Sequence, residues 1–320
     1  MYQGTDTDTQ ASAEGPGREP ILPPPEQWAE LSPRPGSITW QRAGDARTFA
    51  AAGSALLLQV AHPTVGAGVK DFSVYAEDPW GRLWRTLDFV NVLVFAEPER
   101  AAEMGARIRG FHKVIKGTKP DGTLYHALEP EAYTWVHLTL MEGILRAHRR
   151  FGRPFSYDEA AQLWTEWRRL GRFLGIRWRD MPESYAGYRE LVDTILAERL
   201  ERNEAVDEVL ESLTSAPPSP SKRIGPRTWK GISPPMLHLL GLATVGLLPR
   251  ELRDRLDLQL SRVQALELRA FGRLSRALTP VMPQALRNVG PGYLRLRAKP
   301  IARGDVASPQ ANPHLAELLR

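Results

Sequence analysis

Long stretches built from Ala, Leu, Arg and Glu, with few β-branched runs between them, constrain this chain to helices. The starts of those stretches carry their own signals. Asp78-Pro79, Glu97-Pro98-Glu99 and Glu129-Pro130-Glu131 each set a proline at the first helical position behind an acidic residue, and Ser156-Tyr157-Asp158-Glu159 has the form of a capping box. The pattern predicts helices over 43–61 (ended by Pro63), 79–95, 98–117, 130–151 and 157–174. Asp121-Gly122 marks a turn or short hairpin within Thr118–Tyr125. Residues 184–213 read as one long helix or two shorter ones. Ile232–Leu248 and Leu256–Ala277 are too apolar to stand alone and are expected to dock on the rest.

The fold class is therefore all-α. Residues 1–36, rich in Gly, Pro, Thr, Ser and Glu, are expected to form a disordered or extended arm, stiffened at Pro23-Pro24-Pro25. Residues 37–280 are expected to form one helical domain, and 281–320 an irregular tail. Ala216-Pro217-Pro218-Ser219-Pro220-Ser221 is the best internal boundary, although it does not divide independent domains. The first 36 residues hold no apolar signal core, and the chain is read as cytoplasmic. The apolar run Ile232–Leu248 is interrupted by Pro234 and Pro235 and falls short of the roughly 20 residues a membrane span needs. It suits a buried helix or a peripheral membrane contact.

The chain has no cysteine, which removes disulfides, thiolate nucleophiles, iron–sulfur clusters and Cys-based zinc sites together. A metal would need His, carboxylate or Tyr ligands, or a cofactor that brings its own. The net charge of +5 is spread among acids rather than gathered into a basic stripe, which argues against a nucleic-acid partner. Among seven histidines there is no HExxH pattern, and His137 and Glu142 are five apart, off ligand spacing on a helix. A serine nucleophile elbow, a strand-associated GxGxxG and a Walker-type loop are all missing.

Two short segments stand out. Arg82, Arg85 and Thr86 lie at i, i+3 and i+4 and share one predicted helix face; Arg109, His112 and Lys116 lie at i, i+3 and i+7 and share another. A histidine flanked by cations, opposite a second cationic and hydroxylic face, suits a metal macrocycle with carboxylate arms. Taken singly, these residues favour plainer roles: His112 a helix histidine satisfied by a carbonyl, Arg82 and Arg85 a solvated or ion-paired face, His62 a cap or core residue. The order of motifs adds to this. Leu56-Leu57-Leu58-Gln59-Val60-Ala61-His62-Pro63, Arg82-Leu83-Trp84-Arg85-Thr86, Arg109-x-x-His112 ending at Gly117, Tyr125 and Trp135-Val136-His137 follow one another.

That series resembles the MpaB-type oxygenases, which include the bacterial rubber oxygenases, over roughly residues 37–280. The resemblance implies a globin-like helical bundle around haem b, with additional helices. It makes His112 the proximal iron ligand and matches Arg109 to an arginine of the same haem helix. It matches Arg82, Arg85 and Thr86 to an Arg-x-x-Lys-Thr cluster beside the haem. Arg85 replaces the lysine there, and arginine stays protonated and is a poor iron ligand. The rubber oxygenases' proposed glutamate base has no clear counterpart among Asp71, Glu77 and Asp78, and His62 is the candidate for a distal or supporting role. The implied activity is oxidation of a hydrophobic, isoprenoid- or lipid-like small molecule with O2, along an apolar channel by Trp84, Leu87 and Phe89. A non-catalytic haem sensor, a peroxidase-like enzyme and a purely structural helical protein are the alternatives.

Overall fold

The computed structural model describes residues 21–72, 79–214, 224–283 and 287–295; side chains within 73–85 and 213–223 are not among those described. The helices, in chain order, are α1 (Pro25–Leu31), α2 (Ile38–Ala43), a 3-10 turn (Ala46–Ala51), α3 (Ala52–Val60), α4 (Pro63–Phe72), α5 (Pro79–Phe95) and α6 (Pro98–Lys113). A hairpin of β1 (Lys116–Thr118) and β2 (Leu124–His126) follows. The remainder is α7 (Pro130–Phe151), α8 (Tyr157–Phe173), α9 (Tyr185–Glu198), α10 (Glu204–Thr214), α11 (Pro226–Gly246), α12 (Arg250–Arg255) and α13 (Arg262–Leu278). The class is all-α, as the residue usage requires.

Proline at N1 opens α6 and α7, and the capping box of α8 is complete: the Ser156 hydroxyl accepts from the Glu159 amide, and the Glu159 carboxylate accepts from the Ser156 amide. The expected helix over 43–61 is divided. Asp45 caps a 3-10 turn before the α-helix begins at Ala52, and the Asp45 carboxylate accepts from both the amide and the guanidinium of Arg47. Pro63 ends α3 as expected and also starts α4, because a missing N–H costs nothing in a first turn. The α3 carbonyls left over are met from the α9–α10 loop, where Asn203 Nδ2 donates to Val60 O and Glu201 N to Ala61 O.

α7 is the central element. It packs on the 3-10 turn, α3, α8 and α13, and from Ala132 to Phe151 most of its side chains are buried. Trp135, Leu138 and Met141 meet Leu57, Leu58, Trp164 and Trp167 in the main core. Burying each aliphatic side chain there stabilises the fold by roughly 1.5–3 kcal/mol. The C-terminal helices join a second cluster in which Leu242, Leu247 and Leu268 meet Ala51, Ala147 and Phe151. Their expected docking is thus through shared core.

Two expectations for the ends of the chain are corrected. The N-terminal arm is not extended throughout: residues 25–31 form α1, whose Leu31 is buried and which packs on α6 and α8. Proline at N1 of α1 starts that helix rather than continuing an extended run. In the tail, expected to be irregular, residues 290–295 are helical and 287–295 dock on the helical domain. Asn288 bridges Asp45, Val289 N donates to Gly44 O, and Tyr293 donates to Asp88 Oδ1 at 2.6 Å. Residues 1–20 and 296–320 lie outside the described residues. No helix among the described residues is long and apolar enough to cross a membrane.

Candidate functional site

The C-terminal end of α6 is held close to α8. At Gly105 the helices approach so tightly that an added Cβ would fall 1.9 Å from the Phe173 carbonyl oxygen. One turn further on, Arg109 reaches the loop after α8 and donates to Gly175 O at 3.4 Å. Gly175 has φ +76°, a left-handed conformation that glycine adopts without strain, and the arginine lies across the space its Cβ would take.

His112 sits on the last turn of α6. Its Nδ1 bonds Ile108 O at 2.7 Å, and its ring meets that of Tyr133 edge-on at 5.4 Å. Tyr133, in turn, donates to Leu174 O at 3.1 Å. Since Ile108 O can only accept, Nδ1 carries the proton and the Nε2 lone pair is free for a ligand bond. Burial, and then the nearby Arg109 charge, hold the imidazole below its usual pKa against the pull of the carbonyl, so it is neutral at pH 7. His112 and Arg109 therefore come together as the spacing predicts. Lys116 does not join them, because α6 ends at Lys113 and Lys116 begins β1.

On α5 the backbone is helical through Arg82, Arg85 and Thr86, so the three share a helix as expected. The side chains of Arg82, Arg85 and Trp84 lie outside the described residues. Thr86 lines a cavity of about 280 Å³ bounded by the 3-10 turn, α3, α5, α7 and α11. Its walls are apolar: Leu56, Leu87, Val90, Leu140, Ile144 and Trp167 face it, with Gln59 and Asn91 among the few polar contributors. Of the residues expected along an apolar channel, Leu87 is there; Phe89 packs instead against the main core.

His62 is elsewhere. It is buried, and its Nε2 is 3.4 Å from Glu131 Oε1, a carboxylate that Arg199 also approaches at 3.2 Å. Next to it Thr64 donates to Glu129 Oε2 at 3.0 Å, so this histidine belongs to a polar cluster at the N-terminus of α7. Its hydrogen bonds do not reach α5 or α6, and Nδ1 has no partner among the described residues. Burial lowers its pKa more than Glu131 raises it. Of the carboxylates considered as a base, Asp71 accepts from Tyr125 OH; Glu77 and Asp78 lie outside the described residues. Trp135 and His137 are core groups: Trp135 Nε1 donates to Leu58 O at 2.8 Å, while His137 and Trp167 bond each other's backbone carbonyls at 2.9 and 3.0 Å.

Sequence reasoning missed most of the cavity. The small residues Gly44, Ala51, Ala52, Gly53 and Ala55 leave the space, and Leu237 and Leu240, three apart on α11, close it. The run of small residues in 43–55 was the available signal; which distant helix would cover it was not. Tyr133, which braces His112, had no local signature.

A family model described as ER-bound oxygenase mpaB/B'/Rubber oxygenase, catalytic domain, matches residues 40–277. No curated protein and no solved structure matches the chain. The match runs from within α2 through nearly all of α13, and with it His62, α5, the His112 turn and the cavity lining apart from Val289 and Gly290. The chain belongs to the mpaB/rubber-oxygenase family and carries its catalytic domain, that of an oxygenase and thus an oxidoreductase.

Proposed function

We propose that the protein is a cytoplasmic haem-b-dependent oxygenase that oxidises a hydrophobic small molecule, isoprenoid or lipid-like, with O2, and that it has no nucleic-acid partner. The observation that carries this reading is His112: a neutral imidazole whose Nδ1–H is spent on Ile108 O and whose Nε2 is left for iron. A haem needs only one such protein ligand, since the porphyrin brings four nitrogens of its own, and the donor chemistry of this helix end fits it.

The cofactor would supply the redox chemistry on O2. The chain's own residues do the rest. The Ile108 carbonyl and the Tyr133 ring set the orientation of the His112 imidazole. Arg109 sets a fixed positive charge one turn before it, suited to a propionate. The cavity excludes water and accepts an apolar substrate, with the Thr86 hydroxyl on its wall. Arg85, in the position of the family's lysine, keeps its proton and is assigned an electrostatic role rather than iron ligation.

Purification with haem supplementation and an absorption spectrum test the reading. A Soret band that disappears in His112→Ala is expected; a colourless wild-type protein that cannot be reconstituted overturns it. Oxygen consumption with isoprenoid substrates then separates an enzyme from a haem sensor. Arg85→Lys is expected to alter the ferric spectrum if that side chain faces the iron.

A further inference from the structure

On the other side of residues 42–45 and 287–290 from the apolar cavity, the 3-10 turn, the loop after α7 and the end of α13 enclose a second, polar cleft of about 950 Å³. Five arginines line it: Arg42, Arg47, Arg153, Arg276 and Arg287. The carboxylates that answer them are two. Asp45 takes Arg47, and Glu159 is shared between Arg42 and Arg153. Arg276 and Arg287 make no side-chain hydrogen bond or ion pair among the described residues. The cleft wall thus holds three positive charges more than its partners neutralise.

Like charges gathered at a surface repel one another and cost stability unless something compensates them. The repulsion extends beyond the cleft: the Arg150 guanidinium is held below its usual pKa first by burial and then by Arg269, Arg276, Arg149 and Arg253. The donors are also partly preorganised. Arg47 is fixed on one side by Asp45 and on the other donates to Thr279 Oγ1 at 2.8 Å, leaving little side-chain freedom to be lost on binding. Planar guanidinium forks around an open space are the chemistry that recognises an oxyanion with several oxygens.

We propose that this cleft binds a phosphate monoester, with Arg276 and Arg287 as the principal ligands and Arg47 as the fixed wall. Two sources could present that group, a soluble ester or a phospholipid headgroup. The surface beside the cleft bears on which. The outer face of α13 exposes Val263, Leu266, Leu274 and Leu278 at i, i+3, i+11 and i+15, continuing to Val281, with Arg262, Arg269, Arg273 and Arg276 exposed on the same helix. Arg276 leaves the opposite face of α13 from that stripe, whose C-terminal end, Leu278 and Val281, flanks Thr279 and Pro280 of the cleft lining. A phosphate carried on a lipid would find apolar contact next to its binding site.

Calorimetric titration with glycerol 3-phosphate and flotation with phosphatidylcholine vesicles, with and without phosphatidic acid, test the proposal. Binding in at least one arm is expected, weakened about ten-fold or more in Arg276→Gln/Arg287→Gln. Both side chains are unpaired, so the thermal midpoint is expected to hold, and the midpoint is measured alongside to show it. Calorimetric binding identifies a soluble ester. Flotation only with phosphatidic acid, reduced further by Leu274→Gln/Leu278→Gln, identifies a headgroup. The proposal is overturned by binding in neither arm, by binding unchanged in the double arginine variant, or by equal competition from chloride at matched ionic strength.

Discussion

His137 and His112 are both helix histidines bonded to a main-chain carbonyl, and the comparison separates an imidazole that ties two helices together from the one proposed as an iron ligand. His137 reaches across to α8, where Trp167 answers with its own indole N–H and stacks at 15° between ring planes. His112 bonds only its own preceding turn. One ring ties two helices together; the other is oriented by its helix and keeps its outer nitrogen. The surroundings differ in the same sense. Around His137, α7 ties Glu142, Arg146 and Trp135 to neighbouring elements, while the end of α6 commits only Arg109 to one among the described residues.

The sharpest way to break the comparison is on the α7 side. Buried Glu142 accepts from Arg146 Nε at 2.7 Å, from Tyr188 OH at 3.1 Å and from Arg189. Glu142→Ala strands Arg146, and denaturant unfolding is expected to show a loss of about 3–5 kcal/mol. His137→Ala removes the α7–α8 clasp and leaves a cavity; a loss of about 2–3 kcal/mol is expected, with any Soret band retained. A loss of the band with no loss of stability would reverse the roles assigned to the two histidines.

Proton linkage gives a finer measure. Burial lowers His137 and His148 from 6.5 to about 4. The unfolded chain therefore binds more protons between those values, and stability falls as pH drops through that window. It is fully retained above about 6.5. The expected slope is up to about 1.4 kcal/mol per pH unit for each histidine, and His137→Gln should lower the measured proton uptake on unfolding by about one. The smallest effect on stability is expected for His112→Ala, about 1 kcal/mol by the same unfolding assay, since the bond lost is local and the only ring contact among the described residues is the edge-on one with Tyr133.

Much of the scaffold was legible because its signals are local. Proline at N1 and the Ser156 box need only neighbouring residues, and the Asp121-Gly122 turn puts Gly122 at φ +83° as the dipeptide requires. His112 and Arg109 are also neighbours in sequence, so their shared place was readable. What was not readable depends on distant partners. Glu131 lies 69 residues from His62 and draws it to the start of α7. The docking of 287–295 depends on Gly44 and Gly290, which admit Phe95 and Asn288 at distances no Cβ would allow. Neither relation leaves a periodic trace.

One feature of α11 bears on how the apolar cavity could open. Pro234 and Pro235 stand inside the helix, so the Lys230 and Gly231 carbonyls lose their amide partners. Both prolines face solvent, and Leu237 and Leu240 of the cavity wall follow within two turns. Two missing rungs make this the point where the wall bends at least cost, while Leu242 and Ala243 keep the far end anchored in the core. The lining can thus yield by flexing one helix, leaving the α3–α7 contact behind it packed. Slow amide exchange along α7 and fast exchange around 236–240 would be the signature of such a hinged wall.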